Sequence, residues 1–284
     1  MVESKSVDPQ QNALARRALP LNTGGAIPAV GLGVFRARPE EAYEAIRQAI
    51  AAGYRHIDTA QVYGNEKAVG AAIRDSGVPR ESIFVTTKLW NDYQGTDRVI
   101  PAFERSVEAL GLGAPDLFLL HWPVPGKRLD SWAALERLYK EGRVKAIGVS
   151  NFMVRHLEEL LAHAKVQPAV NQIEISPFLQ QTSIRDFCRA HGIVVEAYSP
   201  LTKGQRIGHP VIVDVAAKLG VTPAQVLLRW GLQHGLVILP KSTRAERIKQ
   251  NLDLDGFAMD EAVMARLDAL EENLVTGWNP QAVD

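Results

Sequence analysis

The sequence predicts a closed (β/α)8 barrel of the TIM type, one α/β domain entered through an N-terminal β-hairpin. Short aliphatic or β-branched runs recur eight times, and longer amphipathic stretches lie between them. Most successive runs are separated by roughly 24 to 33 residues, the length of one strand–helix–strand crossover. No Pro/Gly/Ser-rich linker divides the chain, which favours one closed barrel over two domains.

Taken along the chain, strands are expected at Gly31–Phe35, Arg55–Asp58, Ile83–Thr87, Asp116–His121, Val144–Val149, Ala169–Gln172, Val194–Ala197 and Leu236–Leu239. Pro39–Ala52 sets Tyr43, Ile46 and Ile50 on one stripe, and Asp97–Leu110 does the same with Ile100, Phe103, Val107 and Leu110, the spacing of buried helix faces. The longer gap before the last strand holds two helical stretches, Val211–Leu219 and Pro223–His234. Thr222 suits an N-cap there, and Pro223 the first helical position. Ahead of the first strand, Leu19–Ile27 around Asn22-Thr23-Gly24-Gly25 reads as a β-hairpin placed to plug the barrel floor. Residues 1–18 are polar and lack the apolar core of a signal peptide, so they are expected to be a flexible extension outside a 19–284 barrel domain. The rival fold is a doubly wound sheet, which would carry a Gly-rich phosphate loop after its first strand. Gly31-Leu32-Gly33 lacks the third glycine and the helix, and the barrel is preferred.

Basic and acidic residues balance at 32 each, which gives no pointer to nucleic acid or to an anionic membrane. No apolar run approaches the ~20 residues of a membrane helix. The one cysteine, Cys188, excludes an internal disulfide and suits a reducing compartment. The expectation is a cytoplasmic protein that meets a small molecule, with no nucleic-acid or membrane partner and no metal.

In such a barrel the reactive groups sit at the C-terminal ends of the strands. Asp58, Lys88 and His121 close the second, third and fourth barrel strands, and Tyr63 lies in the loop after the second. Singly, each has an ordinary structural reading: the Asp as a helix cap, the His or Tyr as packing. Lys88 is odder, because it ends the run Ile83-Phe84-Val85-Thr86-Thr87, a strand that should be buried on both faces. A buried lysine needs a carboxylate, and Asp58 on the adjacent strand supplies one. Together the four residues suit carbonyl reduction, which needs a proton donor for the oxygen that becomes an alkoxide as hydride arrives. Tyrosine, with an ordinary pKa of about 10, is too weak an acid alone. A lysine ammonium beside it favours the phenolate and is expected to lower that value. Asp58 holds Lys88 protonated, and His121 donates to the substrate oxygen or shares the proton of Tyr63. A Schiff-base aldolase using Lys88 is a rival reading, but it requires a neutral lysine, which Asp58 opposes.

The run Gly53-Tyr54-Arg55-His56-Ile57-Asp58-Thr59-Ala60-Gln61-Val62-Tyr63-Gly64-Asn65-Glu66, closing with Val69-Gly70, resembles the first signature of the aldo-keto reductases. Ile147-Gly148-Val149-Ser150-Asn151-Phe152 resembles a second motif of that family. Leu239-Pro240-Lys241-Ser242, continuing through Arg247 to Asn251, resembles a third. The resemblance spans Leu19 to Asp268. It implies an NADPH-dependent, monomeric reductase of aldehydes or ketones whose catalytic tetrad is Asp58, Tyr63, Lys88 and His121, with Tyr63 as general acid. It also implies a C-terminal tail, carrying Trp278, folded over the active-site face.

Ser150 and Asn151 end the fifth barrel strand and Gln172 the sixth. Without context a Ser-Asn pair after a strand is a turn or cap; the resemblance makes all three residues partners of the nicotinamide amide. Tyr198, ending the seventh strand, then stacks on the nicotinamide ring, with Ser199 and Leu201 along the pyrophosphate path. Lys241, Ser242 and Arg247 follow the eighth strand, and two cations near a helix N-terminus at the barrel mouth suit a phosphate. The resemblance assigns them to the 2′-phosphate of NADPH and places Asn251 on the adenine. Gln250 stands where many members carry an acid that binds the adenine amine.

Phe35, Trp90 and Trp122 follow strand ends and are the expected substrate walls, suited to an apolar or flat carbonyl compound. The loops Pro123–Asp130 and Thr202–His209 are short. In this they resemble bacterial members, 2,5-diketo-D-gluconate reductases among them, that reduce small aldehydes, dicarbonyls and keto sugars. An accessory subunit that binds nicotinamide with little turnover is the alternative from another class, and the intact tetrad weighs against it.

Overall fold

A computed structural model describes residues 14–284, and within them the eight expected runs form one eight-stranded sheet. The hairpin strands are β1 (Ala18–Pro20) and β2 (Ala26–Pro28). The barrel strands are β3 (Leu32–Gly33), β4 (His56–Asp58), β5 (Phe84–Leu89), β6 (Leu117–Leu120), β7 (Ala146–Ser150), β8 (Val170–Glu174), β9 (Val194–Tyr198) and β10 (Val237–Leu239). Every barrel strand pairs in parallel with the next in sequence. The circle closes between the last and the first: Val30 bridges Ile238, and the Gly31 and Ile238 amides donate to the Ile238 and Ala29 carbonyls, each at 2.9 Å. A doubly wound sheet reverses its strand order at a switch point, so this sequential closed order excludes it. The first barrel strand is shorter than expected, ending at Gly33, and Arg36 turns left-handed (φ 57°) three residues later.

The helices are α1 (Pro39–Ala52), α2 (Glu66–Asp75), α3 (Val99–Leu110), α4 (Arg128–Lys140), α5 (Val154–His163), α6 (Thr182–Ala190), α7 (Pro210–Leu219), α8 (Pro223–Gln233), α9 (Ala245–Leu252) and α10 (Glu261–Asp268). The two helices expected before the last strand are present as α7 and α8. Thr222 caps α8 as its sequence suggests: its hydroxyl accepts the Gln225 amide at 3.3 Å while the Gln225 side chain accepts the Thr222 amide at 2.9 Å. No single described helix is long and apolar enough to cross a membrane.

Side chains alternate along each strand, so one set faces the helices and the other fills the barrel. The lower interior is apolar. Leu21 and Ile27 of the hairpin pack on Leu117, Leu119, Ala146, Val170 and Val237, so the hairpin does plug the floor. The upper interior holds buried polar groups, among them His56, Asp58, Lys88, Gln172 and Glu196. Of the segment 1–18 expected to be a flexible extension, residues 1–13 lie outside the described residues. From Leu14 onward the chain departs from that expectation. Leu14–Arg16 forms a 3-10 turn, and the buried Ala15 donates its amide to Asp255 at 2.9 Å.

The seam that closes the barrel depends on a missing side chain. A Cβ on Gly31 would lie 2.6 Å from His56 Nδ1 and 2.7 Å from Leu239 Cδ2. Gly31→Ala is therefore expected to destabilise the protein by about 1–3 kcal/mol through overpacking, read as a lower midpoint of chemical denaturation. An unchanged midpoint would mean that His56 and Leu239 move aside freely.

Candidate active site

A cleft of about 1080 Å³ opens at the C-terminal ends of the barrel strands. All the residues singled out from the sequence line it except Lys88, which lies beneath, fully buried. The parallel register explains that arrangement. Asp58 pairs with Thr86 across β4 and β5, which sets Lys88 two residues further along on the same inward face.

The Lys88 ammonium donates to both carboxylate oxygens of Asp58 at 2.7 Å and to the Thr59 carbonyl at 2.8 Å. Burial alone would make this lysine easier to deprotonate. The charges of Asp58 and Tyr63 and the hydrogen bonds to Asp58 outweigh it, and the pKa stands above the ordinary lysine value. A charged Lys88 removes the basis of the Schiff-base reading. Its Nζ lies 5.2 Å from the centre of the Tyr63 ring.

Tyr63 ends the short 3-10 turn Gln61–Tyr63, which Asn65 anchors. Asn65 is wholly buried. It donates to the Val34 and Ala37 carbonyls at 3.1 and 3.2 Å and accepts the Thr59 hydroxyl at 2.7 Å. The proximity of Lys88 alone would lower the phenol pKa. In the structure burial raises it, Lys88 pulls it back, and the net shift is upward. Tyr63 is thus a protonated phenol at neutral pH with a cation beneath its ring. His121 stands edge-on to Tyr63 and to Trp90, with ring centres at 5.9 and 5.3 Å. Burial, and then Lys88, hold its pKa well below the usual histidine value, so the imidazole is neutral. Its Nδ1 has no hydrogen-bond partner among the described residues.

Gln172 ties this group to a second carboxylate that sequence reasoning missed. Its Nε2 donates to Asp58 Oδ2 at 2.9 Å and to Glu196 Oε2 at 2.5 Å. With both amide protons committed to carboxylates, the Gln172 oxygen is oriented as an acceptor. Beside it, the Ser150 hydroxyl donates to the Gln172 carbonyl at 2.8 Å. Asn151 donates to the His121 carbonyl at 3.0 Å and accepts the Tyr198 hydroxyl at 2.8 Å. Asn151 and Ser199 both take left-handed backbone conformations (φ 64° and 50°), turning their chains sharply at the strand ends.

At the far end of the cleft Lys241, Arg244 and Arg247 are exposed, and among the described residues none has an acidic partner within salt-bridge distance. Arg244 was not picked out from the sequence, although it stands between Ser242 and Arg247. Three unpaired cations beside the start of α9 fit a doubly charged phosphate, and Asn251 lies buried next to them. Near the centre, Phe35 packs on Tyr63 (5.0 Å between ring centres). Trp278 leans on Trp90 and Trp122 at 6.4 and 5.8 Å. The tail that carries Trp278 is pinned by Glu174, which accepts the Thr276 and Gly277 amides, and by Lys203, which donates to the Thr276 carbonyl at 2.6 Å.

The model of the aldo/keto reductase family matches residues 29–272. The 9,11-endoperoxide prostaglandin H2 reductase of Trypanosoma cruzi (strain CL Brener) is 49% identical over 258 residues, covering 89% of this chain and 91% of the relative. The glyoxal reductase of Bacillus subtilis (strain 168) is 48% identical over 261 residues, covering 92% and 95%. Among solved structures, a variant of Gox0644 in complex with NADPH superposes with a TM-score of 0.90 at 40% identity, covering 95% of this chain and 99% of that one. The fold, the strand-end residues and these relatives agree, and the chain belongs to the aldo/keto reductase family of oxidoreductases.

Proposed function

We propose that this protein reduces small aldehydes, dicarbonyls or keto sugars to alcohols at the expense of NADPH. The observation that carries this reading is the buried Asp58–Lys88 pair under Tyr63, in a cleft whose other end bears three unpaired cations. The glyoxal reductase relative, named for a small dicarbonyl, supports the substrate class. The aromatic walls Phe35, Trp90, Trp122 and Trp278 give a flat carbonyl compound apolar surfaces to lie against.

NADPH, when bound, supplies the hydride that the carbonyl carbon receives. Tyr63 gives its phenolic proton to the carbonyl oxygen, and the Lys88 ammonium stabilises the phenolate left behind until solvent returns a proton. Asp58 keeps that ammonium in place. Neutral His121 donates an N–H to the same oxygen, polarising the carbonyl without adding a charge. Ser150, Asn151 and Gln172 would hold the nicotinamide amide, and Tyr198 would lie against its ring. Ser199 and Leu201 would border the pyrophosphate. Lys241, Ser242, Arg244 and Arg247 would take the 2′-phosphate, and Asn251 the adenine. The protein is proposed to work as a monomer. The protein is proposed to be cytoplasmic; burial pushes its one cysteine thiol, Cys188, up to about 11 and leaves it unreactive.

Tyr63→Phe is expected to lower kcat by about 10²–10⁴-fold, the usual worth of a general acid, while NADPH still quenches tryptophan fluorescence on binding. Turnover near the wild-type rate would assign the proton donor elsewhere. Each charge-assisted hydrogen bond to a phosphate contributes about 1.5–3 kcal/mol. Lys241→Ala and Arg247→Ala should therefore each weaken NADPH about 10- to 100-fold in a binding titration and leave NADH little changed. Equal wild-type kcat/KM with the two cofactors would overturn the phosphate assignment.

A further inference from the structure

Glu196 takes no part in the chemistry proposed above, yet it is wholly buried and shares its amide donor with Asp58. It faces His56 and Asp58 from β4, Lys88 from β5 and the neutral Gln172 from β8, and it pairs in register with Val237 of β10. The Lys88 ammonium is taken up by Asp58 and the Thr59 carbonyl, so it forms no direct contact with Glu196. Two carboxylates that share one amide, with the one nearby cation already bound to Asp58, do not both stay ionised easily in a dry interior.

The contacts around Glu196 bear on where a proton sits. His56 Nδ1 faces the Pro28 carbonyl at 3.4 Å, and because that oxygen only accepts, Nδ1 carries the hydrogen. In a neutral ring Nε2 is then an acceptor. It lies 3.2 Å from the Thr86 hydroxyl, which can donate to it, and 3.4 Å from Glu196 Oε1, an oxygen with no hydrogen-bond partner of its own. Even with the Thr86 hydroxyl serving Nε2, an ionised Oε1 would face that lone pair with no donor of its own, and a proton on Oε1 removes the opposition. Burial drives both groups the same way, holding His56 down to about 4 and, together with the charge of Asp58, raising Glu196 to about 8.

We propose that Glu196 stands protonated in the working enzyme as a positioning residue, its one proton keeping the buried group electrically neutral, and that losing this proton weakens Tyr63 as an acid. The inference rests on Tyr63 being the proton donor. An ionised Glu196 adds a second negative charge beside Asp58, which favours the protonated forms of both Tyr63 and Lys88. Glu196→Gln mimics the protonated acid: its carbonyl accepts from Gln172 and its amide donates towards His56.

The direct test is a carbon-13 NMR titration of glutamate side-chain carbonyls, which needs no turnover. One signal should titrate near pH 8 in the wild-type protein and vanish in Glu196→Gln. Glu66, the other glutamate that burial shifts upward, is assigned separately through Glu66→Gln. The single-turnover rate of the NADPH-loaded enzyme should fall about three- to tenfold as pH rises through the same value. In Glu196→Gln it should stay level there. Absence of a glutamate signal titrating above pH 7 overturns the proposal even if the variant does not fold, and so does an unaltered pH profile in Glu196→Gln. Failure of the Tyr63 assignment alone would leave the carbonyl titration in place, so the two are told apart.

Discussion

An ammonium without water around it is the constraint on which the rest of this structure depends. Lys88 is wholly buried, and an unpaired charge there would cost several kcal/mol. The barrel meets that demand with both oxygens of Asp58 and the Thr59 carbonyl, all within 2.8 Å. The pair exists only because β4 and β5 run parallel in a fixed register, and that register is held by the closed ring of eight strands. Removing either partner would leave a lone buried charge, at a cost of about 3–5 kcal/mol. The proposed proton donation by Tyr63 and the folding stability therefore draw on the same contact.

The contrast between the lower and upper interior follows from this. Below, Leu21 and Ile27 seal the floor against aliphatic side chains, which shuts water out of the barrel. Above, polar side chains have to satisfy one another. They do so through Gln172, whose single amide group connects Asp58 to Glu196. Gly31 gives His56 its room at the seam of the barrel, so the absence of a side chain there sets where the ring lies beside Glu196.

The part of the site that broke a local rule was legible in the sequence. Lys88 at the end of an aliphatic strand demanded a carboxylate, and the spacing to Asp58 on the neighbouring strand supplied one. By the same logic Glu196, within Val194-Val195-Glu196-Ala197-Tyr198, was an equal signal: a carboxylate inside a buried strand. It was passed over because it sits mid-strand instead of at a strand end, where chemistry is usually sought. The direction of the Tyr63 shift was not legible either. It depends on how burial weighs against one nearby cation, and burial is a property of the assembled barrel. The N-terminal limit was misjudged for a related reason, since the contact that anchors Ala15 comes from Asp255, at the opposite end of the chain.

The two ends of the cleft are built on opposite electrostatic principles. Around Tyr63 one cation answers one carboxylate, the neighbouring imidazole is neutral, and the low dielectric makes any change of charge costly. Around Lys241, Arg244 and Arg247 three cations stand exposed and unpaired, where solvent softens their mutual repulsion and an arriving anion relieves it. A dry, neutral centre favours a reaction that moves one proton without creating a lasting charge. A wet, cationic end favours holding a phosphate. The tail links them mechanically, because Lys203 and Glu174 hold Thr276 and Gly277 while Trp278 closes on Trp90 and Trp122. Substitutions at the cationic end should therefore register mainly in cofactor affinity. Those around the Asp58–Lys88 pair should register in the rate of the chemical step and its dependence on pH.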